Sequence, residues 1–579
     1  MPSSVMSTSS RGGVPQPPAA VSAVGLRKSY GDKTVLDGID LHIPAGSVFA
    51  LLGPNGAGKT TAVKILSTLI SSDGGQAQVG GHDIATAPQS VRAAIGVTGQ
   101  FSAVDGLITG EENMLLMADL HHLSRSEGRR VTAELLERFD LVDAAKKPAQ
   151  SYSGGMKRRL DIAMTLVGSP RIIFLDEPTT GLDPRSRHTM WGIIRELVSD
   201  GVTVLLTTQY LEEADELADR IAVLNLSLIH LPDRRHRAAT GHQGRRGTRP
   251  PDRQRGQPAR TALRPGTAGL GRHRGRRTHR AHTRPRRRVL RPDRRHRPPP
   301  PDRPHQPDQP DPGGCPMSSL SLAVRDSTTM LRRNLLHARR YPSMTLNLLL
   351  TPVMLLLLFV YVFGDVMSAG IGGGGADRSE YIAYLIPGIL LMTIGGTTIG
   401  TAVSVSMDMT EGIMARFRTM AISRGSVLVG HVVGSVMQCV ASVLLVGAVG
   451  VAIGFRSTDA TALEWLAAFG LLVLFSLALT WIAVGMGLSS PNPEAASNNA
   501  TPLIFLPLIS SAFVPVDAMP GWFQPVAEYQ PFTPAIETLR GLLLGSEIGH
   551  NGWLAVAWCL GLVALGYFWS RSLFGRDPK

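Results

Sequence analysis

The sequence predicts a mixed α/β domain, then a low-complexity basic segment, then an all-α membrane domain of six spans. Three observations carry this reading. Residues 22 to 225 alternate short apolar runs, Gly-rich turns and helical stretches, the pattern of parallel strands joined by crossover helices. Residues 226 to 316 hold 24 Arg and no Phe, Trp or Tyr, a composition that cannot bury a core. From Met317 onward long apolar stretches appear, and Met344 to Phe363 contains no Asp, Glu, Lys, Arg or His. The chain has 579 residues, too many and too mixed for one globular domain. Cys315, Cys439 and Cys559 are too few and too scattered for a disulfide scaffold. Met1 to Ala20 has Ser and Pro but no apolar centre, so residues 1 to 21 read as a disordered leader and not as a signal peptide.

In residues 22 to 225, the apolar strand Ser47 to Leu52 runs into Gly53-Pro-Asn-Gly-Ala-Gly-Lys-Thr-Thr61, which fits GxxxxGK[ST] and opens the helical Ala62 to Leu69. This is the context of a phosphate loop, so the domain is expected to be an α/β P-loop NTPase. Its glycines let backbone N–H groups converge on phosphate oxygens, Lys59 supplies a point charge, and Thr60 offers a hydroxyl to magnesium. A second strand, Arg171 to Leu175, ends in Asp176 and Glu177. Asp176 can hold the metal and Glu177 can polarise an attacking water; by themselves two acids at a strand end also fit a solvated turn. Between these motifs Ser153-Gly-Gly-Met-Lys157 opens the helix Arg158 to Leu166, an anion site at a helix N-terminus or an ordinary cap.

The segment 226 to 316 carries a net +18, from 24 Arg against six Asp, so the remainder carries −4 of the chain's total of +14. The basic balance therefore says little about partners of the rest. Arg-rich arms for nucleic acid commonly mix in Lys or stacking aromatics, and this one has neither, which disfavours nucleic acid as a partner. Two readings stand. One is an out-of-frame translation of GC-rich DNA that replaces the C-terminal tail of the first domain and rejoins a downstream frame at Met317. The other is a genuine fusion through a disordered linker.

Residues 317 to 579 hold six candidate spans, at 344 to 363, 382 to 406, 427 to 453, 465 to 488, 500 to 514 and 552 to 570. A helix needs about 20 apolar residues to cross a bilayer, so the fifth is short. Pro515 to Pro534 after it is Pro- and aromatic-rich, as a broken or re-entrant piece would be. With the first flank inside, eleven Lys and Arg fall in inner segments and three, Arg378, Arg456 and Arg540, in outer ones. Positive loops stay cytoplasmic, so both ends of this domain are expected on the cytoplasmic side, with the soluble domain. No charged residue lies mid-span, which disfavours an ion pathway.

Taken together, residues 22 to about 225 resemble the ATPase domain of ABC transporters. The resemblance implies ATP and magnesium as cofactors, bound by Gly53, Asn55, Gly56, Gly58, Lys59, Thr60 and Thr61, with Thr60, Gln100 and Asp176 at the metal. It implies that Tyr30 stacks on adenine, that the Gln100 loop senses magnesium and the membrane domain, and that Glu177 is catalytic. Ser153, Gly154 and Gly155 begin the signature, and Asp183 closes the dimer-contacting turn Gly181-Leu-Asp183. In the family each ATP lies between one subunit's phosphate loop and the other's signature, so two such domains meet. Gln209 stands at the usual switch-histidine position; it can hydrogen-bond a phosphate but cannot become an imidazolium. The phrases Tyr152 to Ala163 and Thr207 to Asp215 look like the daunorubicin-resistance branch, whose partner is a six-span type-two ABC permease. Leu331 to Phe363 and Glu411 to Met420 are similar to that partner, and the charged loop Glu411 to Arg424 suits docking on the ATPase.

The expected function is ATP-driven export of an amphipathic drug-like or lipid molecule across the cytoplasmic membrane. The working unit is a pair of copies, or of separate ATPase and permease subunits, in membrane lipid. The alternatives are a polysaccharide or glycolipid exporter, a non-transport ATPase using the basic arm, and an inactive frameshift product.

Overall fold

The computed structural model describes residues 19–225, 227–230, 319–364, 378–457 and 460–575. In the first half, β1 (Ala19–Tyr30), β2 (Lys33–Pro44), β4 (Gly74–Val79) and β5 (His82–Asp83) form an antiparallel sheet in the order β2-β1-β4-β5. A second sheet has the order β10-β9-β3-β8-β7-β6. Its members are β3 (Val48–Leu52), β6 (Ile95–Thr98), β7 (Ile172–Asp176), β8 (Thr203–Thr208), β9 (Arg220–Asn225) and β10 (Ser227–His230). The neighbours from β6 to β9 are parallel, as the apolar runs imply.

Alternation of side chains explains why these strands are apolar throughout. Phe49, Leu51, Phe174 and Leu205 enter one core with α1 (Lys59–Leu66) and the antiparallel sheet. Val48, Ala50, Ile173, Leu175, Val204 and Leu206 enter another with α3 (Gly110–Leu120), α4 (Arg125–Arg138), α5 (Gly154–Leu166) and α6 (Pro184–Ser199). A strand covered on both faces has no solvent side to mark with polar residues. Two short helices, α2 (Pro88–Ala94) and α7 (Leu211–Leu217), complete this half.

Two boundaries differ from the sequence expectation. β1 begins at Ala19, inside the stretch assigned to the leader, because Ala19 pairs with Pro44. Ser227–His230, inside the segment expected to be disordered, pairs antiparallel with β9, which would otherwise present an unpaired edge. The remainder of 226 to 316, and residues 1 to 18, lie outside the described residues.

The second half is helical: α8 (Ser319–Arg340), α9 (Pro342–Tyr361), α10 (Arg378–Thr410), α11 (Ile413–Thr419), α12 (Arg424–Ile453), α13 (Ala462–Ser489), α14 (Pro493–Ala500), α15 (Pro502–Phe505), α16 (Gln524–Tyr529), α17 (Phe532–Leu544) and α18 (Asn551–Gly575). Among the described residues α10, α12, α13 and α18 are long and apolar enough to cross a membrane, and Leu348–Tyr361 of α9 is a shorter apolar helix. The fifth expected span is not one continuous helix. It is α15 followed by a 3₁₀ turn at Leu506–Ile509, since Pro502 and Pro507 cannot donate to a helical ladder. Gly566 packs so closely on Trp481 that a Cβ would lie 2.8 Å from the Trp481 backbone carbon, the small-residue contact of membrane helices.

The helical half also buries an arginine, paired with a half-buried glutamate, outside the runs counted as spans. Arg540, placed outside by the charge count, is buried on α17, 2.6 Å from Glu537 and stacked 3.6 Å over the Tyr384 ring. Its guanidinium donates to the Tyr384 carbonyl of α10 at 3.1 Å and to the Ser511 carbonyl at 2.7 Å, a backbone group just after the broken fifth segment.

Candidate nucleotide site and its docking surface

The parallel strands end along one edge, and the loops after β3, β6, β7 and β8 gather there. Gly53 to Gly58 wraps from β3 into α1. Gly58 has φ 102, and a Cβ there would lie 2.8 Å from Leu36 Cδ2 and 2.9 Å from Val35 O, so no larger residue fits. As N-cap of α1, Gly58 offers no side-chain cap to the first N–H groups, the condition under which a phosphate binds at a helix start. Lys59 is buried; its Nζ donates to Gly53 O at 2.7 Å and Pro54 O at 3.1 Å and lies 3.4 Å from Glu177 Oε1. Asn55 and Gly56 are exposed on the loop, and Thr60 and Thr61 are half-buried on the first turn of α1.

Asp176 ends β7 and accepts a hydrogen bond from Thr207 Oγ1 on β8. Glu177 follows with φ 48, a left-handed conformation disfavoured for a non-glycine residue. Its N–H donates to Thr207 Oγ1 at 3.0 Å and its Oε2 accepts from Gln100 Nε2 at 3.4 Å and from Thr180 Oγ1 at 3.3 Å. Lys59, Gln100, Asp176 and Glu177 therefore come together at one mouth. Gln209 is half-buried directly after β8, whose Thr208 carbonyl accepts the Gly53 N–H at 3.2 Å. Tyr30 ends β1 with its ring exposed and Lys28 Nζ 5.7 Å from the centroid.

Thr60, Asp176 and Gln100 would offer magnesium a hydroxyl, one carboxylate and one amide oxygen. Magnesium commonly keeps waters and takes few carboxylates together with substrate phosphates, so this oxygen-only set fits it.

Ser153 and Asp183 are exposed N-caps of α5 and α6, accepting from Met156 N at 3.3 Å and Ser186 N at 3.2 Å. A Cβ on Gly155 would be 2.9 Å from Ser186 Oγ, so the two turns are neighbours. Sequence reasoning missed Arg158, one turn into α5. Its guanidinium donates to Asp176 O at 2.9 Å, Pro178 O at 3.1 Å and Gly99 O at 2.5 Å, tying the helix after Ser153 to the loops of Gln100 and Glu177. An arginine three residues before Asp161 was the available signal.

The family described as "ABC transporter" matches residues 36–180, and that described as "ABC-2 type transporter" matches residues 326–544. The daunorubicin resistance ATP-binding protein DrrA2 of Streptomyces coeruleorubidus is 56% identical over 36% of this chain and 64% of its own length. The chain thus spans about two thirds of the curated relatives it matches first. The Nod factor export ATP-binding protein I of Paraburkholderia xenovorans is 42% identical over 36% of this chain and 68% of its own. The chain belongs to the ABC transporter family. A solved structure titled "Structure of ATP binding subunit of ABC transporter" is 26% identical, covering 39% of this chain and 95% of its own with a TM-score of 0.36.

This ABC transporter chain joins an ATPase domain to an ABC-2 permease domain, and the two are docked through buried charge. Arg416 on α11 reaches the fully buried Asp161 of α5 and donates to the Asp161 carbonyl at 2.8 Å and Thr165 Oγ1 at 3.1 Å. Ile413, Met414 and Phe417 beside it enter the same apolar core as Met114 and Leu160. α8 carries Arg332, 2.6 Å from Asp119, and Arg340, 2.7 Å from Glu112. Arg333, counted in the sequence only as a positive flank, is buried 2.6 Å from both Asp105 and Asp408. Burial works against the Asp105 carboxylate, yet Arg333 and His337 hold it down at about 2, and the same two aspartates push the Arg333 guanidinium upward against its own burial. Nothing in the sequence near Asp105 marks it, because its partner lies 228 residues away.

Proposed function

We propose that the chain is an ATP-driven exporter of an amphipathic drug-like or lipid molecule, working as a pair in the cytoplasmic membrane with its ATPase domain on the cytoplasmic side. The observation that carries this is the joining of a phosphate-loop site to an ABC-2 permease domain through a buried ion pair, Arg416 to Asp161, on the helix that begins at Ser153. The substrate class is drawn from the daunorubicin resistance relative.

In this reading the bound nucleotide supplies the phosphoryl group, and its magnesium neutralises developing charge. Lys59 and the Gly53 to Gly58 backbone hold the phosphates, Thr60, Asp176 and Gln100 hold the metal, and Tyr30 stacks on the base. Glu177 orients a water and takes its proton, with Gln209 beside it as a hydrogen-bonding residue. Exposed Ser153, Gly154 and Asp183 serve the site of a second copy. Closure of the pair moves α5, and Arg416 passes that motion to α10 and α12.

The test is the full chain in proteoliposomes with a fluorescent anthracycline. ATP-dependent accumulation that Lys59→Ala and Glu177→Gln both abolish is the expected result, and accumulation indifferent to either variant contradicts it.

A further inference from the structure

Arg333 is a deeply buried charge at the docking surface, and three segments converge on it. Its Nε donates to Asp105 Oδ2 at 2.6 Å, in the loop between Gln100 and α3. Its Nη1 and Nη2 donate to the two oxygens of Asp408, near the end of α10, each at 2.6 Å. Such a two-pronged guanidinium–carboxylate pair fixes orientation as well as distance. Each carboxylate is also shared with an imidazole: His337 Nε2 lies 2.7 Å from Asp105 Oδ2, and His431 Nε2, on α12, lies 2.9 Å from Asp408 Oδ2. One cation thus stands between two buried acids, each with a protonatable group against its outer side.

We infer that Arg333 is the positioning residue that locks the loop after Gln100 to the end of α10, and that His337 and His431 can take over its charge when it is absent. The inference rests on the export reading and goes beyond it, because α8 lies outside the charged loop 411 to 424 that the sequence suits to docking. The other charged groups around this cluster are Glu112, Asp119 and Arg332, which line one small cavity with Arg333, Arg340 paired to Glu112, and Glu411 just after α10. Burial, then Asp105 and Asp408, push the Glu411 carboxyl upward, and Arg333, then Lys157 of α5, act on it in the opposite sense.

The sign follows from linkage. With Arg333 removed, a protonated imidazole at His337 or His431 supplies the positive charge that Asp105 and Asp408 then lack. The docked state then binds protons more tightly than the undocked state, so docking is supported at low pH. That support is lost as pH rises and the imidazoles give up the proton.

The experiment uses the full chain in phosphatidylglycerol-containing proteoliposomes between pH 6 and 8, with two readouts. One is anthracycline transported per ATP hydrolysed. The other is hydrogen exchange of residues 103 to 108, corrected for intrinsic rates, which requires neither transport nor hydrolysis. Arg333→Gln is expected to lower transport per ATP by about tenfold at pH 8 and to recover most of it at pH 6, with exchange following, while wild type stays flat. Arg333→Gln combined with His337→Asn and His431→Asn stays low at both. Recovery in that triple variant, or an Arg333→Gln chain indistinguishable from wild type, overturns the inference. Should Arg333→Gln not reach the membrane, Asp105→Asn decides: the Arg333–Asp408 pair remains, and unchanged transport per ATP with unchanged exchange overturns the role. If wild type itself neither hydrolyses nor transports, the export reading fails and the exchange readout still decides the inference.

Discussion

The residues that handle phosphate are legible in sequence because chemistry restricts them to few types at fixed spacing. Gly58 must be glycine, Lys59 must reach back over its own loop, and Asp176 and Glu177 must end a strand. Glu177 is held at φ 48 by two bonds to Thr207 and contacts Lys59 and Gln100. Replacing it with Gln keeps the shape and removes the base, so ATP hydrolysis should fall by about a thousandfold while nucleotide binding persists; steady-state kinetics beside a nucleotide-binding assay check this. Gln209 cannot ionise, so Gln209→His should add a pH inflection near about 6.5 to the hydrolysis profile that wild type lacks. Asp161 and Arg333 were not legible, because what defines them is a partner far along the chain: Arg416 is 255 residues from Asp161, and Asp105 is 228 from Arg333.

At the scale of elements, the parallel sheet could be read from its uninterrupted apolar runs, and α5 from its cap. The antiparallel sheet could not, because β1 and β2 carry polar residues on an open face and pair only through tertiary register. The fifth span was visible as too short, but its break into a short helix and a 3₁₀ turn, with Arg540 taking up the Ser511 carbonyl, is a tertiary feature. The docking element α11 presents Arg416 to Asp161 with both side chains buried. Arg416→Ala leaves that carboxylate without a partner from the permease, and should weaken docking by about 3 kcal/mol. This would appear as faster exchange across α5 and a loss of transport larger than the loss of hydrolysis. Asp105, held at about 2, is depressed below its ordinary value. Its contribution is therefore present above about pH 4 and lost as pH falls toward 2, so wild-type exchange of residues 103 to 108 should be flat from pH 8 down to about 5.

At the scale of the whole molecule, the division into an ATPase domain and a helical membrane domain was clear from composition, and the Arg-rich stretch between them is where composition says least about use. If it is only a linker, deleting residues 232 to 312 leaves ATP-dependent transport within about twofold, since loop length changes closure entropy slowly. An intact mass of 62.0 kDa for the expressed product supports a single fused chain; two shorter products support separate subunits. The central claim is that this site and these spans form one coupled exporter. The most direct measurement is anthracycline accumulation in proteoliposomes holding the full chain, compared with its Glu177→Gln variant at equal protein. The account predicts ATP-dependent accumulation in the first and none in the second; equal accumulation in both, or none in either while wild type hydrolyses ATP, contradicts it.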